Sequence, residues 1–219
     1  MKQFWNERFT KDTFAYGKAP NEFLKENIHL LPQGNILFVA EGEGRNAVFA
    51  AKNGYEVNAF DYSESGQQKA LLLAKENGVT IDYLVADVLE LPYEKESFDA
   101  LVFIFAHFPA EIRKEAHLKL LELLKPEGEI LFEAFGKEQL NYTSGGPKDI
   151  DMLFSEEEVK KLLDEKTPYV VRFKMPVDRV LNLEDIIRGK FSVNTNTLDD
   201  KVLVKNDGMP TYHFANIID

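Results

Sequence analysis

The stretch ILFVAEGEGRNAVFA, residues 36–50, decides the fold. It is an apolar run that breaks into a glycine-rich loop and resumes at helical spacing. That order reads as a buried strand, a tight loop and a helix, the first half of a βαβ unit. Gly42-Glu43-Gly44-Arg45-Asn46-Ala47 fits the pattern G-x-G-x-x-A, in which glycines let the backbone approach a nucleotide. Two carboxylates, Glu41 and Glu43, stand where a phosphate cradle would have no negative charge.

Working outward, the pattern repeats. Asn35–Ala40 is the strand and Asn46–Lys52 the helix, stopped by Asn53-Gly54. YEVNAF (55–60) is a second strand ending at Asp61, followed by a helix from about Ser65 to Glu76 that stops at Asn77-Gly78. IDYLVA (81–86) is a third strand ending at Asp87, and ALVFIFAHF (100–108) a fourth. Glu111–Leu124 is an amphipathic helix, and KPEG (125–128) turns it into a fifth strand, Glu129–Phe135. Strands alternating with helices through short loops give a parallel sheet covered on both faces. The expected class is therefore α/β, a three-layer, Rossmann-like, mostly parallel sheet. SEEE (155–158) before VKKLL is a capping box that starts a later helix.

Composition limits the partners. The chain has 219 residues, 44% hydrophobic and 29% charged, as expected of a globular, soluble chain. No apolar run approaches the roughly 20 residues of a membrane helix, and MKQFWNERFT has no signal-peptide core. With no Cys there is neither a disulfide framework nor a thiolate metal site. The four His are scattered, without metal-ligand spacing. A cytoplasmic location is the default expectation. A formal charge of −11 argues against nucleic acid as the main partner, because phosphate binding needs Lys and Arg. The charge is uneven: 30 Asp/Glu and 19 Lys/Arg fall in residues 1–166, against 7 and 7 in 167–219.

In open parallel sheets, ligands bind at the carboxyl ends of the strands where strand order reverses. Three strands here end in groups suited to a nucleoside. Gly42 and Gly44 open the loop. Asp61, about 20 residues on, can accept from both ribose hydroxyls. Asp87 can accept from an adenine amino group, with Phe60, Tyr62, Ala86 and Val88 around the base. The bland alternative is that Asp61 and Asp87 simply cap the helices that follow. For a dinucleotide, the pyrophosphate would sit beside Glu41 and Glu43 at the helix N-terminus. S-adenosylmethionine carries no phosphate and two cationic groups, so it is the better match, although Arg45 offers one cation to a phosphate.

GEGRNAVFAAKNGYEVNAFDYS closely resembles the first two motifs of class I S-adenosylmethionine-dependent methyltransferases, nearest to the small tellurite-resistance and thiopurine type. FWNERF…FAYGKAPNEFL (4–24) resembles that group's N-terminal lid. VADVLELPYEKESFDALVFIF and LLKPEGEILFEAF resemble its later motifs, so the likeness covers about 1–165. It implies a cofactor-binding domain over 1–166 and cofactor contacts from Tyr16 and Gly17 and from the backbone near Phe103–Phe105. The alternative for Phe103, Phe105, Trp5 and Phe14 is plain packing. Where the usual loop begins with an acid on the strand, this chain has Phe38 and Ala40. Glu41 is then the candidate partner of the methionine ammonium.

The resemblance implies in-line methyl transfer to a small-molecule acceptor, in which the cofactor carries the hard chemistry and no catalytic base is obligatory. His107, just past the fourth strand, is the candidate for acceptor contact or proton removal; the alternative is a histidine satisfied by loop backbone. His117, inside a helix, reads as a surface residue. Tyr142, in the loop 136–151, is a candidate to close over the acceptor.

After Glu165 the text changes. TPYVVRFKMP and LVKNDGMPTYHFANIID resemble, through 167–219, the part of the class I glutamyl-tRNA synthetase catalytic domain that follows its insertion. That likeness implies an amino-acid and adenylate pocket around Tyr212 and Asn216. The HIGH and KMSKS signatures are absent from this chain, so such a site is incomplete. The chain reads as a junction of a methyltransferase domain and a synthetase segment, whether a natural fusion, a frame error or an engineered chimera. Tyr169–Met175 and Lys201–Lys205 have strand character and can pair, with Leu181–Gly189 between them, supplying the edge strands that a methyltransferase sheet would need. Other readings are a catalytically silent cofactor-binding protein, an NAD-dependent oxidoreductase, which Glu41 and Glu43 oppose, and a tRNA-related role of the tail.

Overall fold

The computed structural model describes residues 2–141 and 145–155 in full, and the backbone of strands within 171–204. The chain divides into two compact units, Met1–Leu162 and Leu163–Asp219.

The first unit is a five-stranded sheet of β1 (Asn35–Val39), β2 (Glu56–Asp61), β3 (Asp82–Val85), β4 (Phe98–Ile104) and β5 (Leu124–Glu133). The spatial order is β3-β2-β1-β4-β5 and every neighbouring pair is parallel. Strand order therefore reverses between β1 and β4. Helices α1 (Lys2–Phe9) and α2 (Glu22–Asn27) precede the sheet, and α3 (Arg45–Lys52), α4 (Glu64–Glu76) and α5 (Ala110–Leu121) connect its strands.

Alternation along β1 sends Ile36 and Phe38 into one apolar layer and Leu37 and Val39 into the other. The first layer includes Leu24, Ala47 and Leu73, from α2, α3 and α4; the second includes Leu120 of α5 with Leu123 just beyond it. This is the expected three-layer α/β arrangement. Each of these large side chains contributes about 2 kcal/mol by leaving water. Phe38 is fully buried, so the position that an acid takes in the usual loop lies here inside the core.

The helix stops match the sequence. Asn53 and Asn77 are C-caps, and Gly54 and Gly78 follow with φ of 87° and 69°. The KPEG turn does not. Leu124 already pairs with Phe98, and the next β5 partner is Glu129 opposite Ala100. Residues 125–128 bulge within one strand, with Glu127 at φ 63°. The fourth strand also ends at Ile104, earlier than its apolar run, because Phe105 turns to φ 55°.

In the second unit, β6 (Val171–Phe173) pairs antiparallel with β9 (Lys201–Val204), and β7 (Val180–Asp185) with β8 (Gly189–Asn194). The expected pairing of the two strand-like segments is found. The five-stranded sheet ends at β5 and the tail ladders are separate sheets. The tail strands pair with one another as two-stranded ladders, and the expected cover of the β5 edge is not part of the described sheet. Tyr142, the helix after the SEEE box, Tyr212 and Asn216 lie outside the described residues. Among the described residues no helix is long and apolar enough to cross a membrane, and no His/Asp/Glu group could hold a metal ion.

Candidate functional site

The strand-order reversal opens the carboxyl edge between β1 and β4. Both strands leave it through non-glycine residues in the left-handed region, Ala40 at φ 51° and Phe105 at φ 55°. Such backbone costs on the order of 1 kcal/mol or more per residue and persists only where surroundings enforce it. The Phe105 amide is held by the Glu133 carbonyl at 2.8 Å, and Glu41, next to Ala40, donates its amide to the Phe60 carbonyl at 3.1 Å.

Gly42 and Gly44 have φ of 65° and 83°. A Cβ on Gly44 would stand 2.4 Å from the Cβ of Ala70, so glycine here also lets α3 approach α4. A Cβ on Gly42 would meet the Phe9 ring at 3.0 Å, which places α1 over the loop.

The two loop carboxylates are internal ligands of the fold. Glu41 Oε1 accepts from the amides of Asn46 and Ala47 at 2.8 and 2.9 Å, the first turn of α3. Burial still raises its pKa to about 7, against the lowering effect of those amides and Arg45. Glu43 is 5% exposed. Its Oε2 accepts from the Ala15 amide at 2.7 Å and its Oε1 from Lys69 Nζ at 2.7 Å. Arg45 turns to the N-terminal segment, with Nη1 donating to the Tyr16 carbonyl at 3.1 Å and the guanidinium 5.9 Å from the Tyr16 ring.

Asp61 organises the turn between loop and α4. Its Oδ2 accepts from the Gly42 amide at 3.1 Å and its Oδ1 from the Ser63 amide at 2.9 Å. Burial raises its pKa to about 6, with the amide bonds opposing. Asp87 Oδ1 caps the turn Val88–Glu90 through the Leu89 amide at 2.9 Å. The capping reading holds for Asp87, whereas α4 is capped by Ser63, whose hydroxyl accepts from the Gly66 amide, and Asp61 holds the turn before it. Beside them lies a cavity of about 400 Å3 lined by Tyr62, Val85, Ala86, Asp87, Glu90 and Lys2. Three residues assigned to the base, Tyr62, Ala86 and Asp87, are brought together there. Val88 points into the core at 1% exposure, with Phe60 also buried.

On the β4–β5 side the site is aromatic. Phe105 stacks on Phe135 with ring centroids 4.6 Å apart, and His107 stacks on the same ring at 5.7 Å. His107 Nδ1 lies 2.7 Å from the Met152 carbonyl, and the Phe135 amide donates to Nε2 at 3.5 Å. Both ring nitrogens thus hold backbone, which fixes the Nδ1–H tautomer, and burial lowers the pKa. His117 is not on the surface. It is 4% exposed, against Phe103, Phe108 and Phe154. The helix period puts it beside Ala116 and Leu120 on the inner face of α5. Burial pulls its pKa down to about 4.

Several site residues are not singled out by the sequence, although Asn6 and Phe9 fall within the lid-like FWNERF stretch. Tyr83, buried on β3, donates its hydroxyl to the Gly42 carbonyl at 2.6 Å. Asn6 Oδ1 accepts from the Ser63 hydroxyl at 3.0 Å and the Ser65 amide at 3.1 Å. Lys69, Phe9 and Lys2 join them. Each is an unremarkable side chain until the chain brings it back to the loop.

Comparison with known proteins separates two segments. Residues 36–128 match the family described as methyltransferase domain, and residues 138–219 match the catalytic domain of class I tRNA synthetases (E and Q). A glutamate–tRNA ligase of Christiangramia forsetii is 60% identical over 65 residues, which is 30% of this chain and 13% of that protein. The chain spans less than a fifth of the length of such relatives, 13% and 18% in two cases. The fold is shared with a S-adenosylmethionine-dependent methyltransferase of Methanosarcina mazei, at 20% identity and TM-score 0.50, over 75% of this chain and 92% of that one. It is also shared with phosphoethanolamine N-methyltransferase 1 of Haemonchus contortus, solved with phosphoethanolamine and S-adenosylhomocysteine, at 20% identity and TM-score 0.52, over 71% and 35%. The synthetase match begins upstream of residues 145–155, which belong to the first unit and are held within it by the Met152 carbonyl and the Gly136–Phe154 bridge. Two segments of the chain thus match two different families: residues 36–128, within the Rossmann-like first unit, match the methyltransferase domain, and residues 138–219 match part of the class I tRNA synthetase (E and Q) catalytic domain.

Proposed function

We propose that the first unit binds S-adenosylmethionine and transfers its methyl group to a small-molecule acceptor. The observation that carries this reading is the occupation of the α3 N-terminus by Glu41. The amides of Asn46 and Ala47, where a pyrophosphate would bind, already hold a carboxylate of the chain itself. A dinucleotide finds neither vacant amides nor a favourable charge there, so the NAD reading loses its anchor. The two-carboxylate argument changes accordingly. Glu43 is neutralised by Lys69, and Glu41 keeps only its outer oxygen for a methionine ammonium.

The residues fit the cofactor at its nucleoside end. The cavity at Tyr62, Ala86 and Asp87 has the size and the polar rim of a base site, and Asp61 stands between it and the glycine loop. When bound, the cofactor supplies a methyl carbon made electrophilic by its sulfonium. This chain positions it and excludes water, through Phe9 and the N-terminal segment over the loop and the Phe105–Phe135 stack on the other side. A soft or anionic acceptor needs no base.

A second reading, a cofactor-binding protein without transferase activity, draws on His107, whose two nitrogens are both engaged by backbone. Transfer of labelled methyl from S-adenosylmethionine to a panel of small thiols, amines and oxyanions separates the two. Labelled product from wild type, abolished in Asp61→Ala, supports the transferase. Cofactor binding without transfer to any acceptor supports the silent binder. Asp61→Ala is expected to weaken cofactor binding about 100-fold, as loss of charge-assisted hydrogen bonds from a buried site; unchanged affinity overturns the placement of the ribose.

A further inference from the structure

The acid between the two loop glycines does a different job from the one its position suggests. Glu43 receives the Ala15 amide and Lys69 Nζ on its two oxygens, both at 2.7 Å. Lys69 Nζ also donates to the Thr13 carbonyl at 2.9 Å and lies 5.2 Å from the centre of the Phe14 ring. Two residues beyond Glu43, Arg45 holds the Tyr16 carbonyl. Thus residues 13, 15 and 16 of the N-terminal segment are each held by their backbone atoms, and the grips come from the glycine loop, the start of α3 and α4. Upstream, Phe9 rests on Gly42, and Asn6 bonds the start of α4.

We propose that Glu43 is a positioning residue, a latch which with Lys69 fixes the N-terminal segment over the glycine loop. Its backbone lies between two left-handed glycines, and its carboxylate is buried. The carboxylate therefore cannot leave Ala15 without a shift of the loop, and the segment cannot lift without stranding a buried charge pair. Loop geometry and segment order form a single equilibrium. Given the cofactor reading above, on which this part rests, a ligand seated against the loop binds more tightly when the segment is latched. Glutamine at position 43 has the same size but offers one acceptor oxygen to two donors, and leaves the Lys69 charge uncompensated.

The test uses the full chain and Trp5, its single tryptophan, which stacks on Phe9 at 5.5 Å. In the absence of ligand, Glu43→Gln is expected to red-shift Trp5 emission and to speed tryptic cleavage after Lys11 about tenfold, with cleavage elsewhere in the first unit unchanged. Lys69→Met, read the same way, is expected to release the segment too, and serves if Glu43→Gln does not fold. S-adenosylhomocysteine affinity is expected to fall about tenfold in either variant. Unaltered Trp5 emission and Lys11 cleavage in both variants overturns the latch, whatever the ligand result. A released segment in variants of a wild type that binds no S-adenosylhomocysteine supports the latch and sinks the cofactor reading. Release of the segment with undiminished affinity overturns the coupling between them.

Discussion

The two sides of the sheet's carboxyl edge are made of opposite materials. Beside β1, β2 and β3 stand Glu41, Glu43, Asp61 and Asp87, each tied to backbone amides within a few residues or to the N-terminal segment. Beside β4 and β5 stand Phe105, His107, Phe135 and, behind them, His117 and Phe154. The first side buries anions and the second buries neutral imidazoles. The difference teaches that one edge can carry a rim of hydrogen-bonded carboxylates on one side while keeping an apolar, water-poor wall on the other. It also gives the two sides opposite responses to pH.

The largest effect belongs to the acidic side and needs no titration. Gly44→Val forces a branched side chain into φ 83° and into Ala70. A loss of about 4 kcal/mol is expected in urea unfolding, from backbone strain and overpacking together. A loss below about 1 kcal/mol would mean that α3 and α4 do not approach as closely as described.

Next come the two titrations. Glu41 has its folded pKa raised from 4.5 to about 7, so the folded state holds more protons between those values. Its contribution is fully present below pH 4.5 and is lost as pH rises through 7, by about 3 kcal/mol. Glu41→Gln is expected to flatten that fall in a stability–pH series. His117 works the other way. Its folded pKa is lowered from 6.5 to about 4, so stability is lost as pH falls from 6.5 through 4, again by about 3 kcal/mol. His117→Leu is expected to remove that acid-side loss and leave the behaviour above pH 7 as it is. The same slope change from both variants would break the comparison.

The smallest effect sharpens it. His107→Ala removes the bonds to the Met152 carbonyl and the Phe135 amide. A cost of about 1–2 kcal/mol is expected, with S-adenosylhomocysteine affinity within twofold of wild type, because the proposed nucleoside contacts are on the other side. A tenfold loss of affinity would show that the two sides are not separate.

The acidic side was also the more legible in the sequence. Its strand ends, its glycines and the spacing to Asp61 are local patterns, written within about 50 residues. Periodicity of apolar residues sufficed for β1 to β4 and for α3 and α4. What sequence could not supply were partners distant along the chain. Ala15 and Lys69 turn Glu43 from a candidate ligand contact into a latch, and Tyr83 reaches the Gly42 carbonyl across 41 positions. The aromatic side was harder to read for the same reason. His107 meets Met152, 45 positions on, and His117 needed the facing rings of Phe103 and Phe154 to show that its helix face points inward. KPEG misled because a Pro-Gly pair within a strand edge is a bulge as readily as a turn, and only the pairing of Leu124 with Phe98 distinguishes them.

The central claim is that the chain's own carboxylate fills the phosphate position and leaves the site to a phosphate-free nucleoside. Titration calorimetry of the full chain with S-adenosylhomocysteine and with NAD tests it most directly. Micromolar binding of S-adenosylhomocysteine with no binding of NAD at high micromolar concentration is the result predicted. Binding of NAD, with none of S-adenosylhomocysteine, would contradict it.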